Sequence, residues 1–322
     1  MPPLKPPATA VAKDDDLPPG TAVPIILIEA ETGLTKEVIR KWESRYGFPQ
    51  PGRDANGDRI FPAEQVARLR LIQRLLGAGL RPGKIVGMDI ATLERLTDEV
   101  AQGSSPPTDG ARLVLDALTR HDSARLTDIL KGQLNRQGLS MFAKDTVASL
   151  NTIVGDAWFR GEIRIYEEHL YAETVSDILR ESIRTVTNLS GSPRLLLTTA
   201  PGELHTIGLL LANAVAALED ACCIRLGAQT PAADIVTAVK DCRIDIVGLS
   251  FSAAYPGRDA ARFLRDLRTR IDPAVGIWAG GGGVANLRRM EGVSGMTDLD
   301  GIGPAIRAWR RRCQPGLCHR QP

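Results

Sequence analysis

The spacing of apolar residues changes character along the chain. From Ile25 to Thr32, and again from Thr35 to Tyr46, it follows a helical period, with Gly33-Leu34 as the turn between and Thr35 as an N-cap. Gly47, followed closely by Pro49, stops the second helix. Pro51 to Phe61 breaks the period around Asn56-Gly57, the strongest short hairpin dipeptide, so a two-stranded wing is predicted. From Ala111 to Ser190 amphipathic periods recur without strand signals, among them Leu113, Leu115, Leu118, Leu126, Ile129 and Leu130, which predicts a bundle of about four helices. Beyond it, short apolar runs alternate with helical stretches. Arg194–Thr199 reads as a buried parallel strand and is followed by a helix through Leu218. After Cys222–Gly227 come a helix over Ala232–Cys242, a strand over Ile244–Ser250, a helix over Arg258–Arg270 and a strand over Val275–Ala279. Such alternation implies a right-handed parallel sheet, and the predicted fold is multidomain, α and α/β.

Composition adjusts this picture modestly. A chain of 322 residues has room for two or three domains at ~100–200 residues each. The formal net charge of +2 is too small to imply nucleic acid by itself, so the distribution of charge must carry that point. No apolar run approaches the ~18–20 residues of a membrane helix and no signal peptide is visible, so a soluble cytoplasmic protein without a membrane partner is expected. The five cysteines, Cys222, Cys223, Cys242, Cys313 and Cys318, lack pairing or zinc-type spacing, which suits a reducing compartment. Residues 1–20, proline-rich and closed by Asp14-Asp15-Asp16, read as a disordered arm, and Gly103–Thr108 reads as a linker.

Two clusters carry candidate chemistry. Lys36, Arg40, Lys41 and Arg45 recur at about one helical turn, giving the second helix a basic face suited to a major groove. Arg53 and Arg59 flank the wing turn, where they can grip phosphates beside that groove. The other cluster is Glu203-Leu204-His205-Thr206-Ile207-Gly208, which falls between the Arg194–Thr199 strand and its helix. Ligands of open α/β sheets bind at that carboxyl edge, and one histidine there can ligate a metal-centred cofactor. No G-x-G-x-x-G pattern follows the first strand, which argues against a nucleotide-dependent dehydrogenase.

Ile39–Pro49, Gly57–Phe61, Gln65–Ile72 and Gly79–Ile85 are similar to the recognition helix, wing and following helices of MerR-type domains. Trp158–His169 resembles a cap motif in which Trp is separated by nine residues from Glu-His, and Glu203–Gly208 resembles an acidic-x-His-x-x-Gly loop. Together these look like the cobalamin-binding regulators of the MerR superfamily, the CarH and LitR photoreceptor type. The resemblance implies a winged helix-turn-helix over residues 21–90, a linker over 91–110, a four-helix cap over 111–190, a Rossmann-like cobalamin domain over 191–312 and a tail over 313–322.

It further implies that His205 is the lower axial cobalt ligand, flanked by Glu203 and Gly208, with Gly208 letting the cofactor's tail pass close to backbone. Trp158 would cover the upper face of cobalamin, Glu168 and His169 would sit by the upper axial group, and Ser250, Ser252, Gly281 and Gly282 would line the slot for the displaced base. Trp42 and Phe48 are expected in the core of the DNA-binding domain. The implied cofactor is adenosylcobalamin, with methylcobalamin as the alternative. The implied partners are double-stranded promoter DNA and further copies of the chain, as a dimer or tetramer, since paired modules bind the promoter in this family. A light-responsive repressor is the resulting expectation.

One departure matters. The photoreceptor branch commonly has a histidine directly after the tryptophan, and this chain has Phe159, which has no ligating atom. A regulator whose corrinoid domain is light-independent, or binds another ligand or a protein partner, therefore stands beside the first reading. A corrinoid methyl-transfer carrier enzyme is a third, opposed by the wing and recognition helix, which a carrier does not need.

Overall fold

The computed structural model describes residues 23–25, 28, 34, 36–54, 57–77, 80–101, 108–253, 255–285 and 287–313. The chain divides into two compact units, one ending at Glu99 and the other beginning at Val100.

In the first unit, β1 (Val23–Pro24), β2 (Gly52–Arg53) and β3 (Arg59–Phe61) form a small antiparallel sheet in the order β1-β3-β2. Helices α1 (Lys36–Tyr46), α2 (Ala63–Gly77), α3 (Pro82–Ile85) and α4 (Ile90–Ala101) accompany it. Its buried side chains include Ile39, Trp42, Phe48, Phe61, Leu69 and Ile72, so both aromatics expected in the core are there. Arg68 lies over the Phe48 ring at 3.9 Å and donates to the Val86 carbonyl at 2.9 Å, within electrostatic reach of Asp89 and Glu64. The helix expected over Ile25–Thr32, its turn and the Thr35 cap fall largely outside the described residues, as do the arm, the Gly103–Pro107 part of the linker and the Cys318 tail.

The second unit joins helices to a sheet. Helices α5 (Asp109–Thr119), α6 (Ser123–Met141), α7 (Ala148–Arg160) and α8 (Ile165–Val186) form the cap, with a π-helical turn over Phe142–Val147 between α6 and α7. The sheet comprises β4 (Arg194–Thr199), β5 (Cys222–Gly227), β6 (Ile246–Ser250), β7 (Gly276–Gly280) and β8 (Val293–Met296). All its pairings are parallel, in the order β5-β4-β6-β7-β8. Helices α9 (Ile207–Leu218), α10 (Ala232–Asp241), α11 (Gly257–Arg270) and α12 (Ile302–Arg312) complete it. The chain leaves β4 toward β5 on one side and later returns to β6 on the other, so the loops after β4 and β6 diverge at a topological switch point. Crevices for ligands form there in open α/β sheets.

Helix α9 belongs to two cores at once. Leu210, Leu211 and Ala214 pack with the cap helices, while Leu209, Val215 and Ala216 pack against the sheet. Nearly every position of this helix is apolar, as burial on both sides requires. A Lys144 to Asp300 ion pair at 2.8 Å adds a polar tie between the π-helical turn and the segment before α12.

Several details depart from the expectations. Leu113 is 45% exposed, because Ala111, Val114, Ala117 and Leu118 form the inward stripe of α5. The third strand begins at Ile246 rather than Ile244, since Asp245 there accepts from the Arg194 amide. Strand β8 and helix α12 had no sequence expectation: Val-Ser-Gly-Met at a sheet edge has no apolar run, and α12 is rich in arginine. Among the described residues no helix is long and apolar enough to cross a membrane.

Truncating α9 where it faces the cap removes buried surface from a shared element. Leu211→Ala is expected to lower unfolding free energy by about 2–5 kcal/mol, measured by chemical denaturation of the full chain.

Candidate functional site

The loops after β4 and β6 meet over one carboxylate. Glu203 is only 1% exposed, and a buried charge requires partners. Its Oε1 accepts from the His205 amide at 2.9 Å and from His205 Nδ1 at 2.6 Å. Its Oε2 accepts from both the amide and the hydroxyl of Ser252 at 2.7 Å. The loop itself is anchored to β4, because the Thr199 hydroxyl donates to the Glu203 carbonyl at 2.6 Å.

This arrangement fixes the tautomer of His205. With Nδ1 donating to Glu203, a neutral ring keeps its proton there and leaves the Nε2 lone pair open. Among the described residues Nε2 has no hydrogen-bond partner, and the side chain is 65% exposed. A cavity of about 310 Å³ adjoins it, lined among others by Gly202, Ser252, Tyr255, Asp259 and Arg262. The Tyr255 hydroxyl donates to the Pro201 carbonyl at 3.0 Å, closing the far side of the loop.

Hydrogen bonding to Glu203 raises the His205 pKa, with burial opposing and the charges of Glu203 and Glu168 adding. Burial alone would raise the Glu203 carboxyl, but its bonds from His205 and Ser252 outweigh that and hold it below the ordinary carboxylate value. The effect of Glu168 places this cap residue, at the first turn of α8, within electrostatic reach of His205. Glu168 also accepts from or pairs with His169 Nδ1 at 2.7 Å, and His169 is exposed. Trp158 is half-buried on α7 against the cap core. Phe159 lies on the same helix, with its side chain outside the described residues.

Glycines here are set by the protein's own packing. A Cβ on Gly208 would stand 2.5 Å from Ser250 Oγ, so this head of α9 can approach β6 only without a side chain. Ser250 thus packs under the helix rather than sharing the Glu203 bonds, which go to Ser252. Gly281 has φ of +95°, and a side chain on it would meet the Phe251 carbonyl, while one on Gly282 would stand 3.0 Å from the Ala253 Cβ. These contacts draw the loop after β7 against the loop after β6. Tyr255, Asp259 and Arg262 had no sequence expectation; their placement just after a strand at the same carboxyl edge was the available signal.

In the first unit, Arg40, Lys41 and Arg45 are exposed on α1, and Lys36 is half-buried at its start. Arg45 lies over the Tyr46 ring at 5.4 Å. The wing arginines are held differently: Arg53 donates to the Gly57 carbonyl at 2.6 Å, and Arg59 pairs with Glu43 of α1 at 3.5 Å. Asn56 of the turn lies outside the described residues, and the hairpin closes through Asp54 N to Asp58 O at 2.9 Å and Gly57 N to Asp54 O at 3.0 Å.

The Glu203–His205 bond has a pH signature in the ligand-free protein. A raised folded-state pKa stabilises the fold fully below the ordinary histidine value of about 6.5 and loses that contribution as pH rises through the raised value. Glu203→Gln is expected to move the His205 titration, followed by proton resonances of the imidazole, toward lower pH; an unchanged titration would show that Glu203 does not set it.

Residues 28–89 match the family described as MerR HTH family regulatory protein, residues 193–299 match the B12 binding domain, and residues 111–181 match a second family of the same description. The HTH-type transcriptional repressor CarH of Myxococcus xanthus is 30% identical over 263 residues, covering 80% of this chain and 88% of that protein. The HTH-type transcriptional repressor CarA of the same organism is 26% identical over 269 residues, covering 80% and 86%. Among solved structures, the monomethylamine corrinoid protein of Methanosarcina barkeri matches with a TM-score of 0.47 at 16% identity, covering 61% of this chain and 96% of that one. A DNA-binding module followed by a helical and a sheet-based cobalamin-binding module therefore makes up this chain, which belongs to the MerR-superfamily transcription regulators with a cobalamin-binding domain, the group that includes CarH.

Proposed function

We propose that this protein represses a promoter through its MerR-type domain and that a cobalamin held at His205 controls its assembly and hence its hold on DNA. The observation that carries the reading is the Glu203 carboxylate, which orients His205 with Nε2 open beside a cavity at the switch point of the sheet. The residues suit the group: a neutral imidazole with one nitrogen held and the other open is the donor that cobalt takes. Glu203 and Ser252 would orient the ligand, the crevice bordered by Gly202 and Tyr255 would receive the tail, with the Gly281-Gly282 turn packed against the loop after β6 behind it, and Trp158, Glu168 and His169 would face the upper side. Adenosylcobalamin is the proposed form; it supplies a cobalt–carbon bond that visible light breaks.

Signal transmission then rests on the chain's own residues. Trp158 and Glu168 lie on α7 and α8, both packed in the cap core to which α9 contributes one side, while the other side of α9 packs on the sheet. A change at the upper side that displaces those helices would alter the cap surface offered to a second protomer. A ligand that favours one assembly state shifts the population toward it, and with it the occupancy of paired DNA half-sites. Phe159 offers no nitrogen, so a light-driven step would use a different upper-face group from that of the common photoreceptor pattern, and His169, exposed beside Glu168, is the candidate. At the DNA, Lys36, Arg40, Lys41 and Arg45 would meet the major groove while Arg53 and Arg59 grip flanking phosphates. Glu43 holds Arg59 in the free protein, so phosphate binding would exchange that partner.

Full-length protein saturated with adenosylcobalamin in the dark and desalted is expected to retain the cofactor, and to change both absorption spectrum and native mass after visible light. Retention with no change of mass would establish the light-independent reading instead. His205→Ala is expected to abolish the cobalt–imidazole signature in the spectrum while leaving far-ultraviolet circular dichroism intact, and an unchanged spectrum would remove His205 from the coordination sphere. Arg40→Glu and Arg59→Glu are each expected to weaken operator binding by roughly 10-fold to 100-fold, from the ~1.5–3 kcal/mol of a hydrogen bond to a charged group. Operator titrations at fixed salt check this, and unchanged binding would reassign the DNA face.

A further inference from the structure

Away from the His205 loop, the cap carries a buried acid of its own. Glu167, in the first turn of α8, is 4% exposed, and a carboxylate so placed requires donors. Its Oε2 accepts from the Arg164 amide at 2.6 Å, the ordinary service of an acid at the third position of a helix. That role leaves Oε1 unexplained. Oε1 accepts from the Tyr166 hydroxyl at 3.2 Å and lies 3.3 Å from Nδ1 of His121, which comes from the corner between α5 and α6. Nδ1 is also 3.1 Å from the Leu118 carbonyl; both of these neighbours accept, so this nitrogen donates. The other nitrogen, Nε2, meets the Tyr166 hydroxyl at 3.1 Å, and the two rings stand edge to face with centroids 5.6 Å apart. Burial, then the charge of Glu167, raises the Tyr166 pKa, which keeps the phenol protonated.

The backbone at His121 points the same way. Its φ of +57° is left-handed, at the position just past the Arg120 cap of α5, where helices commonly stop on glycine. The turn closes through backbone alone, His121 N to Leu118 O at 3.0 Å and Asp122 N to Ala117 O at 2.9 Å, so a glycine would close it as well. What glycine lacks is the ring that reaches Tyr166 and Glu167. The consequence falls on the residues that follow. Successive side chains leave a helix about 100° apart, so ties on Tyr166 and Glu167 from the α5–α6 corner fix the rotation of the head of α8 about its own axis. The directions taken by Glu168 and His169 are fixed with it. Glu168 is the cap acid whose charge reaches His205, and it stands 2.7 Å from His169 Nδ1.

We propose that His121, Tyr166 and Glu167 are positioning residues that hold Glu168 and His169 over the upper side of the cofactor site. They act through the helix head rather than on the ligand. The inference rests on the cobalamin reading for what lies beneath that pair, and on contacts of the ligand-free protein for the positioning itself.

Three substitutions separate positioning from general support. His121→Gly keeps the left-handed backbone without a ring, Tyr166→Phe removes one hydroxyl, and Lys131→Ala, as a control, breaks the exposed Lys131–Glu181 pair farther along α8. In ligand-free full-length protein, amide hydrogen exchange over Ile165–Tyr171 is expected to quicken by about two- to tenfold in the first two variants, the factor that loss of one or two hydrogen bonds gives, and to keep the parental rate in Lys131→Ala. The same proteins are then loaded with hydroxocobalamin in the dark, and replacement of the upper ligand by cyanide is followed by visible absorption. Its rate is expected to change by about the same factor in His121→Gly and Tyr166→Phe and to stay parental in Lys131→Ala. Parental exchange over Ile165–Tyr171 in the first two variants overturns the proposal. So does a parental cyanide rate beside quickened exchange, because the network would then only brace the cap, and so does a like change in Lys131→Ala, which would be general loosening. A parent that retains no hydroxocobalamin would sink the cobalamin reading instead, and the exchange result alone then decides whether the network holds Glu168 and His169.

Discussion

A single buried carboxylate organises the carboxyl edge of the sheet. Glu203 cannot stay ionised in the interior without donors, and its donors come from two loops that the topology brings together only at the carboxyl ends of β4 and β6. Satisfying that charge closes the loop over the sheet, pins Ser252 to it and turns one nitrogen of His205 inward. The other nitrogen is open as a consequence. The carboxylate that orients His205 is in turn fixed by a hydroxyl and two backbone amides.

The next constraint is the helix that follows this loop. Gly208 lets the head of α9 lie against Ser250 of β6, and the helix then buries one side in the sheet and the other in the cap. Cap and sheet are thereby parts of one packed body rather than tethered modules. Helices α7 and α8 pack in the same core as one side of α9, and α9 begins two residues after His205. The ion pair from Lys144 to Asp300 is a further contact between the π-helical turn of the cap and the sheet-bearing half.

In the DNA-binding unit the pattern is simpler. Ile39 and Trp42 face the core and force the charged residues of α1 outward, so amphipathicity alone produces the basic face. Glu43, an acid among these cations as Glu37 is, pairs with Arg59 and ties the wing to the helix.

Much of this was written in the sequence because period and local chemistry suffice for it. The strand at Arg194–Thr199 follows from an apolar run, the cap helices from their repeats, the wing from its turn residues, and the His205 loop from the placement of an acidic residue and a histidine between strand and helix. Leu113 misled because an apolar residue beside a stripe looks like a member of it until neighbouring helices define which side is covered. Strand β8 left no signal, because an edge strand needs few apolar residues. The partners of Glu203 depended on tertiary structure: Ser252 lies far along the chain, and only the crossing from β4 to β6 brings its two donors to the carboxylate. Asn213 illustrates the same limit, since a buried acceptor without a donor among the described residues is defined by what surrounds it, and local pattern carries no information about surroundings that arrive from elsewhere in the chain.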